Sequence, residues 1–335
     1  MNSKTFVCAA LLVACAGGGE PGAGRSTTFS DDSLPSDAPP REVPRASDLV
    51  KQGEQKLEQN DPAGAQQLFE QALAEDPNDA RAHLDLGLAR EMQSDAAGAE
   101  KNYRRAIELQ PDLAEALNNL AVLLRARGEL DEALGLLRRA AAANPKSAAA
   151  QTNLALALED GGDVQGAEQA YRKALSIDPD QVMTRINLGL LLVGRGDKDT
   201  GRGELLSALD GAKGNRPALL AIGSGLRQAG DAKGALQAMQ AAVDAGEAPT
   251  PALLSELALA QRAAGDREGA IATLQRALKL DGGYATAHYL LGGMLAGGGK
   301  LAEAKKHYQR YLKLEPEGPQ AAKAKAHLER LKTMR

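Results

Sequence analysis

The residues whose types could do chemistry are few, and the most regularly spaced of them are amides. Asp85, Asn119, Asn153 and Asn187 stand 34 residues apart. A carboxamide both donates and accepts, so evenly spaced copies can pair with the N–H and C=O groups of an extended peptide whatever its side chains. The same residues can instead satisfy neighbouring backbone at a tolerated helical position. The four histidines, His83, His288, His307 and His327, have no second ligand at metal-binding spacing beside them. His83 and His288 read as packed or hydrogen-bonded core residues. Gly297, Gly298 and Gly299 fall in a helical turn rather than after a strand, so they do not make a nucleotide cradle. With no nucleophile elbow or paired-carboxylate motif, the expectation is a binding protein that is not an enzyme and uses no metal or cofactor.

Whatever positions those amides must repeat with them. Pro77, Pro111, Pro145 and Pro179 keep the same interval, and small residues recur between them. One column holds Gly87, Ala121, Ala155 and Gly189; a second Ala99, Ala133 and Ala167; a third Ala106, Ala140 and Ala174. Small side chains suit places where two helices cross closely, and a fixed interval of this length marks stacked helical hairpins, none able to bury its apolar face alone. Inside the hairpins, Gly128 and Glu129, then Gly162 and Asp163, predict one helix ended by glycine and the next opened by an acid. Aromatics make up only 3% of the 335 residues, so packing must rest on close helix approach. A net charge of −4 spread over 25% charged residues gives a mixed, solvated surface and argues against generic nucleic-acid binding.

On these residues the chain resembles the tetratricopeptide repeat family. The anchors are Leu86, Gly87, Ala99, Tyr103, Ala106 and Pro111 in one unit, and Leu154, Ala155, Ala167, Tyr171, Ala174 and Pro179 in another. His83, Leu117, Gln151 and Arg185 stand where the family often places a large aromatic. The resemblance implies an all-α, right-handed superhelical solenoid of about eight hairpins. Units are placed near 46–79, 80–113, 114–147, 148–181, 182–215, 216–250, 251–284 and 285–318, with a capping helix over 319–335. In that helix Ala322, Leu328 and Leu331 are expected to cover the last unit. The joint between units five and six, with Gly201 in the small-alanine column and Gly211, Gly214 and Asn215 nearby, is expected to bend or change the path.

The resemblance also implies that the column from Asp85 to Asn187 faces a concave groove holding a protein or an extended peptide. By family correspondence Arg81, Leu88, Glu115, Val122, Arg125, Leu156, Met183 and Leu190 line neighbouring groove columns. Ala149, Thr152 and Leu156 occupy columns where a carboxylate clamp would carry basic residues, so a partner segment with apolar side chains fits better. Nothing in the residues addresses the oligomeric state.

At the amino terminus, Lys4 precedes a nine-residue apolar run from Phe6 to Ala14, too short to span a bilayer and right for a signal-peptide core over residues 1–14. Leu12, Val13, Ala14 and Cys15 resemble a bacterial lipobox, which implies lipidation of Cys15 and cleavage before it. The alternative is ordinary cleavage after Ala16, releasing a soluble periplasmic, chaperone-like or regulatory binder. Residues 15–45, rich in Gly, Pro, Ser and Asp, read as a linker. The joint expectation is an outer-membrane lipoprotein facing the periplasm, touching the membrane through its anchor only. Resemblance to such lipoproteins suggests a scaffold for a type IV pilus, motility or cell-wall complex.

Overall fold

The computed structural model describes residues 45–246 and 248–333; the expected signal peptide, Cys15 and nearly all of the 15–45 linker lie outside the described residues. Among the described residues the chain is helical throughout, with no strand. Helix α1 (Ala46–Glu58) pairs with α2 (Pro62–Glu75), α3 (Ala80–Met92) with α4 (Ala96–Leu109), and α5 (Ala114–Ala126) with α6 (Leu130–Ala143). Next come α7 (Ala148–Asp160) with α8 (Val164–Ile177), α9 (Val182–Gly194) with α10 (Lys198–Ala208), and α11 (Arg216–Ala229) with α12 (Ala232–Asp244). The series ends with α13 (Pro251–Ala263) on α14 (Arg267–Leu280), α15 (Ala285–Gly297) on α16 (Leu301–Leu314), and the closing α17 (Ala321–Thr333). Each second helix packs on the first helix of the following hairpin, and several first helices also touch the next first helix, as α5 does α7 and α13 does α15. The result is a solenoid whose core is a string of overlapping clusters.

The turn inside every hairpin is built the same way. Its last residue before the second helix's cap has positive φ in all eight: Asn60 (57°), Ser94 (65°), Gly128 (82°), Gly162 (79°), Gly196 (100°), Gly230 (93°), Gly265 (93°) and Gly299 (77°). Glycine is free of the Cβ clash that this conformation imposes, and asparagine tolerates it. Ser94 is the strained member, so Ser94→Gly is expected to stabilise the protein by about 1 kcal/mol. A chemical-denaturation midpoint that stays put or falls would contradict this.

The next residue caps the second helix. Asp61, Asp95, Asp163, Asp231 and Asp266 each accept the N–H of a glycine three residues on, at 2.8–2.9 Å. A Cβ at that glycine would come within 2.0–2.8 Å of the capping carboxylate, and where Thr200 takes the place the Asp197 cap lengthens to 3.4 Å. Glu129 opens α6, as expected of an acid there, but without such a contact. It caps nothing, and its longer side chain pairs instead with Arg127 at 3.0 Å.

The recurrent small column has an equally direct cause. A Cβ on Gly53 would lie 2.5 Å from the Phe69 ring, one on Gly87 2.5 Å from the Tyr103 ring, and one on Gly292 3.1 Å from that of Tyr308. The first helix therefore keeps glycine or alanine where the second helix lays its largest side chain.

At the joint between the fifth and sixth hairpins α10 is short, but the turn after it is filled: Leu209 and Ala212 are buried and the core continues into Leu219, Ile222 and Leu226. Gly225 lets α11 settle there, since a Cβ would stand 2.6 Å from Leu190 and 2.7 Å from Leu205. At the far end the capping helix begins two residues after Pro319 and in a shifted register. Ala321 and Ala324 are buried with Leu328 and Leu331 packed behind them, whereas Ala322, expected to cover the last unit, faces solvent. The i, i+3, i+7, i+10 spacing of that set is the better helical stripe. Among the described residues no helix is long and apolar enough to cross a membrane.

Candidate functional site

The first helices α3 and α5, with the start of α7, line a pocket of about 250 Å³. Five of the residues expected to line a groove meet there: Arg81, Asp85 and Leu88 from α3, and Glu115 and Asn119 from α5. Asn118, Asn144 and Ser147 join them and were not anticipated. Asn118 sits one position before the amide column, and the other two come from the loop that leads into α7, so the 34-residue alignment alone carried no sign of them.

The amides are coupled. Asn153 Nδ2 donates to Asn118 Oδ1 at 2.8 Å, and Asn118 Nδ2 donates to Asn119 Oδ1 at 3.3 Å. Beneath them the Tyr103 phenol donates to Glu91 Oε2 at 2.8 Å. Burial, then the nearby Glu91 carboxylate, push the Tyr103 hydroxyl far above its ordinary value, so it stays protonated and donating. A hydrogen-bonded run of amides thus links the first helix of the third hairpin to that of the fourth. Asn118 and Asn119 line the pocket, and these amides bond one another rather than neighbouring backbone.

Asp85 differs from its column mates. It is 4% exposed and pairs with Arg81 Nε at 3.1 Å. Desolvation outweighs the guanidinium and pushes its pKa up to about 6. Glu115 is exposed, as are Leu88 and Met183 at 37% each. Val122, Leu156, Leu190 and Asn187 are half-buried, Leu156 and Leu190 partly packed into neighbouring clusters. Arg125 is mostly buried and binds Asp160 at 2.7 Å, with its Nε left without a partner.

In the column where the family often places an aromatic, His83, Arg185 and His288 fasten the preceding turn, whereas Leu117 packs in the core and Gln151 Nε2 has no partner among the described residues. His83 Nε2 lies 3.1 Å from Pro77 O, Arg185 Nη2 donates to Pro179 O at 2.7 Å, and His288 Nε2 lies 3.2 Å from Gly282 O. Across the hairpin the same residues meet Asn102, Glu204 and His307. His288 and His307 approach to 2.9 Å between their Nδ1 atoms, a contact that sequence spacing did not reveal. With His288 Nε2 donating to Gly282, its Nδ1 accepts from His307. Burial lowers the pKa of both, and the two rings would repel if both were charged. Among the described residues no three groups of metal-ligating type gather.

Tetratricopeptide repeat models match residues 50–114, 93–148 and 118–182, and a second such model matches 261–328, together more than half of the chain. No curated protein matches the sequence. Among solved structures, a tetratricopeptide repeat protein from Parabacteroides merdae aligns with a TM-score of 0.52 and 18% identity, over 75% of this chain and 98% of its own. Yeast Tom70 aligns at 0.50 and 18%, over 91% of this chain and 67% of its own. The Cut9–Hcn1 hetero-tetramer of APC/C aligns at 0.50 and 16%, over 84% of this chain and 55% of the matched one. At these identities the likeness speaks to the fold alone.

Proposed function

Because the chain belongs to the tetratricopeptide repeat family, we propose that its first-helix face is a groove that captures polypeptide, and that the protein is a scaffold with no catalytic role. One observation carries the reading: Asn118, Asn119 and Asn153 converge with Asp85 and Glu115 around or beside one pocket of about 250 Å³, with Leu88 exposed at its edge. An extended segment would exchange the bonds these amides make with one another for bonds to its own N–H and C=O groups. Such exchanges are close to neutral, so apolar contacts at Leu88 and Met183 would supply affinity and the amides would set register; without the amides the segment's N–H and C=O groups would be left unpaired, at about 1–3 kcal/mol each.

Replacing Asn119, Asn153 and Asn187 together by alanine is the test. The variant should remain helical, losing about 1 kcal/mol per broken bond. A photoreactive residue at Leu88 or Met183 should capture a partner in cells that the triple variant fails to capture, while the same probe at Lys101, exposed on α4, does not. Equal capture by a folded triple variant would remove the reading.

The proposal extends to the cell envelope on the strength of the motif at Leu12 to Cys15: an acyl anchor, a linker, and a solenoid working on a pilus, motility or cell-wall assembly. Acyl labelling that depends on Cys15 and is blocked by globomycin would support the anchor; absence of label would leave the soluble periplasmic binder.

A further inference from the structure

The first-helix face changes chemistry along its length. The amide column of α3 to α9 continues as Ala221, Glu256 and Leu290, and the column before it, mixed from Leu84 to Ser255, ends on the aromatic Tyr289. Four of the chain's six tyrosines, Tyr284, Tyr289, Tyr308 and Tyr311, collect in or beside the last hairpin.

Two adjoining cavities of about 400 and 510 Å³ share Tyr289 and Leu290. The first is walled mainly by carbon, with Leu220, Leu253, Leu259 and Tyr284. The second combines the Tyr308 and His327 rings, stacked at 5.2 Å, with Arg262 and Arg267. Tyr289 stands between them, 5.8 Å from the Tyr308 ring and 5.5 Å from that of Tyr311. Among the described residues neither Arg262 nor Arg267 has a carboxylate within ion-pair distance, and the one acid at the cavities, Glu256, already faces Arg227 at 3.6 Å. This end therefore carries unbalanced positive charge beside an apolar cavity. The amino-terminal pocket is the reverse, with Asp85 and Glu115 against Arg81 alone.

We propose that the carboxyl-terminal cavities bind a polypeptide segment in which a bulky apolar or aromatic residue neighbours acidic ones, the apolar group between Tyr289 and Leu259 and the carboxylates over Arg262 and Arg267. This rests on the reading of the face as a polypeptide groove and adds an orientation to it: the opposite charge excess at the two ends favours a ligand whose acidic part lies toward α15. Guanidinium groups suit the task because they pair carboxylates in bidentate fashion and stack on aromatic rings.

The test uses the full chain and two labelled peptides in fluorescence anisotropy, one centred on Phe-Asp-Leu-Glu and the other on Phe-Lys-Leu-Lys. The acidic peptide should bind at least tenfold more tightly, and more weakly as salt rises. Arg262→Glu should abolish or invert that preference, and Tyr289→Ala should weaken binding of the acidic peptide. Arg262 is the residue to reverse first, because Arg267 also donates to Gly297 O at 2.6 Å and its loss could loosen the end of α15. Equal affinity for the two peptides, or a preference untouched by Arg262→Glu in a folded protein, overturns the proposal. The Asn119, Asn153 and Asn187 triple variant separates the two ideas. If it loses its cellular partner while the acidic peptide shows no preference, the groove stands and this assignment falls; if the acidic peptide binds and the triple variant captures its partner normally, the reverse holds.

Discussion

Replacing Tyr103 with alanine is expected to cost about 3–5 kcal/mol of stability, the range for emptying a large buried aromatic site. The ring is 0% exposed and lies directly over Gly87, which has no side chain to move into the space. The change also takes the hydroxyl donor from Glu91. Tyr103→Phe isolates that second part and should cost about 1 kcal/mol, since it keeps the packing and loses only the hydroxyl bond. In a stack where each hairpin leans on its neighbours, the damage should be local first. Hydrogen exchange should show protection lost in α3, α4 and α5 before the hairpins beyond α9 respond. A Tyr103→Ala protein as stable as its parent would mean that the second and third hairpins do not depend on this contact.

Asp85→Asn is expected to act in the other direction, stabilising the protein by up to about 3 kcal/mol at pH 7. The folded carboxyl titrates at about 6 against an ordinary value of 3.8, with burial the leading cause. Between those values the folded chain holds a proton that the unfolded chain has released. Stability therefore falls as pH rises from about 4 to 6, and above 6 the full penalty of a buried carboxylate remains. Its pair with Arg81 compensates little because that guanidinium is half exposed, at 54%. Asparagine removes the charge and keeps the shape. Urea midpoints from pH 4 to 8 should decline for the parent through the acid range from this source and show a gain for the variant that is near zero at pH 4 and largest above 6. A gain independent of pH would assign the effect to packing instead. The variant would also place a fourth carboxamide in the column, so its effect on partner capture reports directly on what Asp85 contributes there.

Much of this architecture is legible residue by residue because its causes are local or repeat with the chain. The positive-φ position that six glycines, Asn60 and Ser94 occupy is set by the turn itself, and the aspartate and glycine three residues apart cap a helix wherever they stand. The small column opposite Phe69, Tyr103 and Tyr308 is visible as a spacing because close helix crossing leaves no room for anything larger. These features define hairpins, their number and their stacking, and with them the family.

What the spacing could not show are contacts that depend on how neighbouring helices rotate against one another. Glu129 stands where aspartate caps elsewhere and fails by one methylene and a competing arginine. Ala321 and Ala324, rather than Ala322, meet the last hairpin because the capping helix begins where Tyr311 and Gly318 allow the chain to turn. The link from Asn153 to Asn118, the approach of His288 to His307 and the raised pKa of Asp85 arise between side chains brought together across hairpins. The sequence by itself determined a repeating helical stack with a regular amide column, since sterics and backbone conformation act within a few residues. Only the tertiary structure decided which amides bond one another, which acid is buried and which arginines are left facing an open cavity. Hydrogen bonding and desolvation depend on distance and on access to water, and both are properties of the packed solenoid.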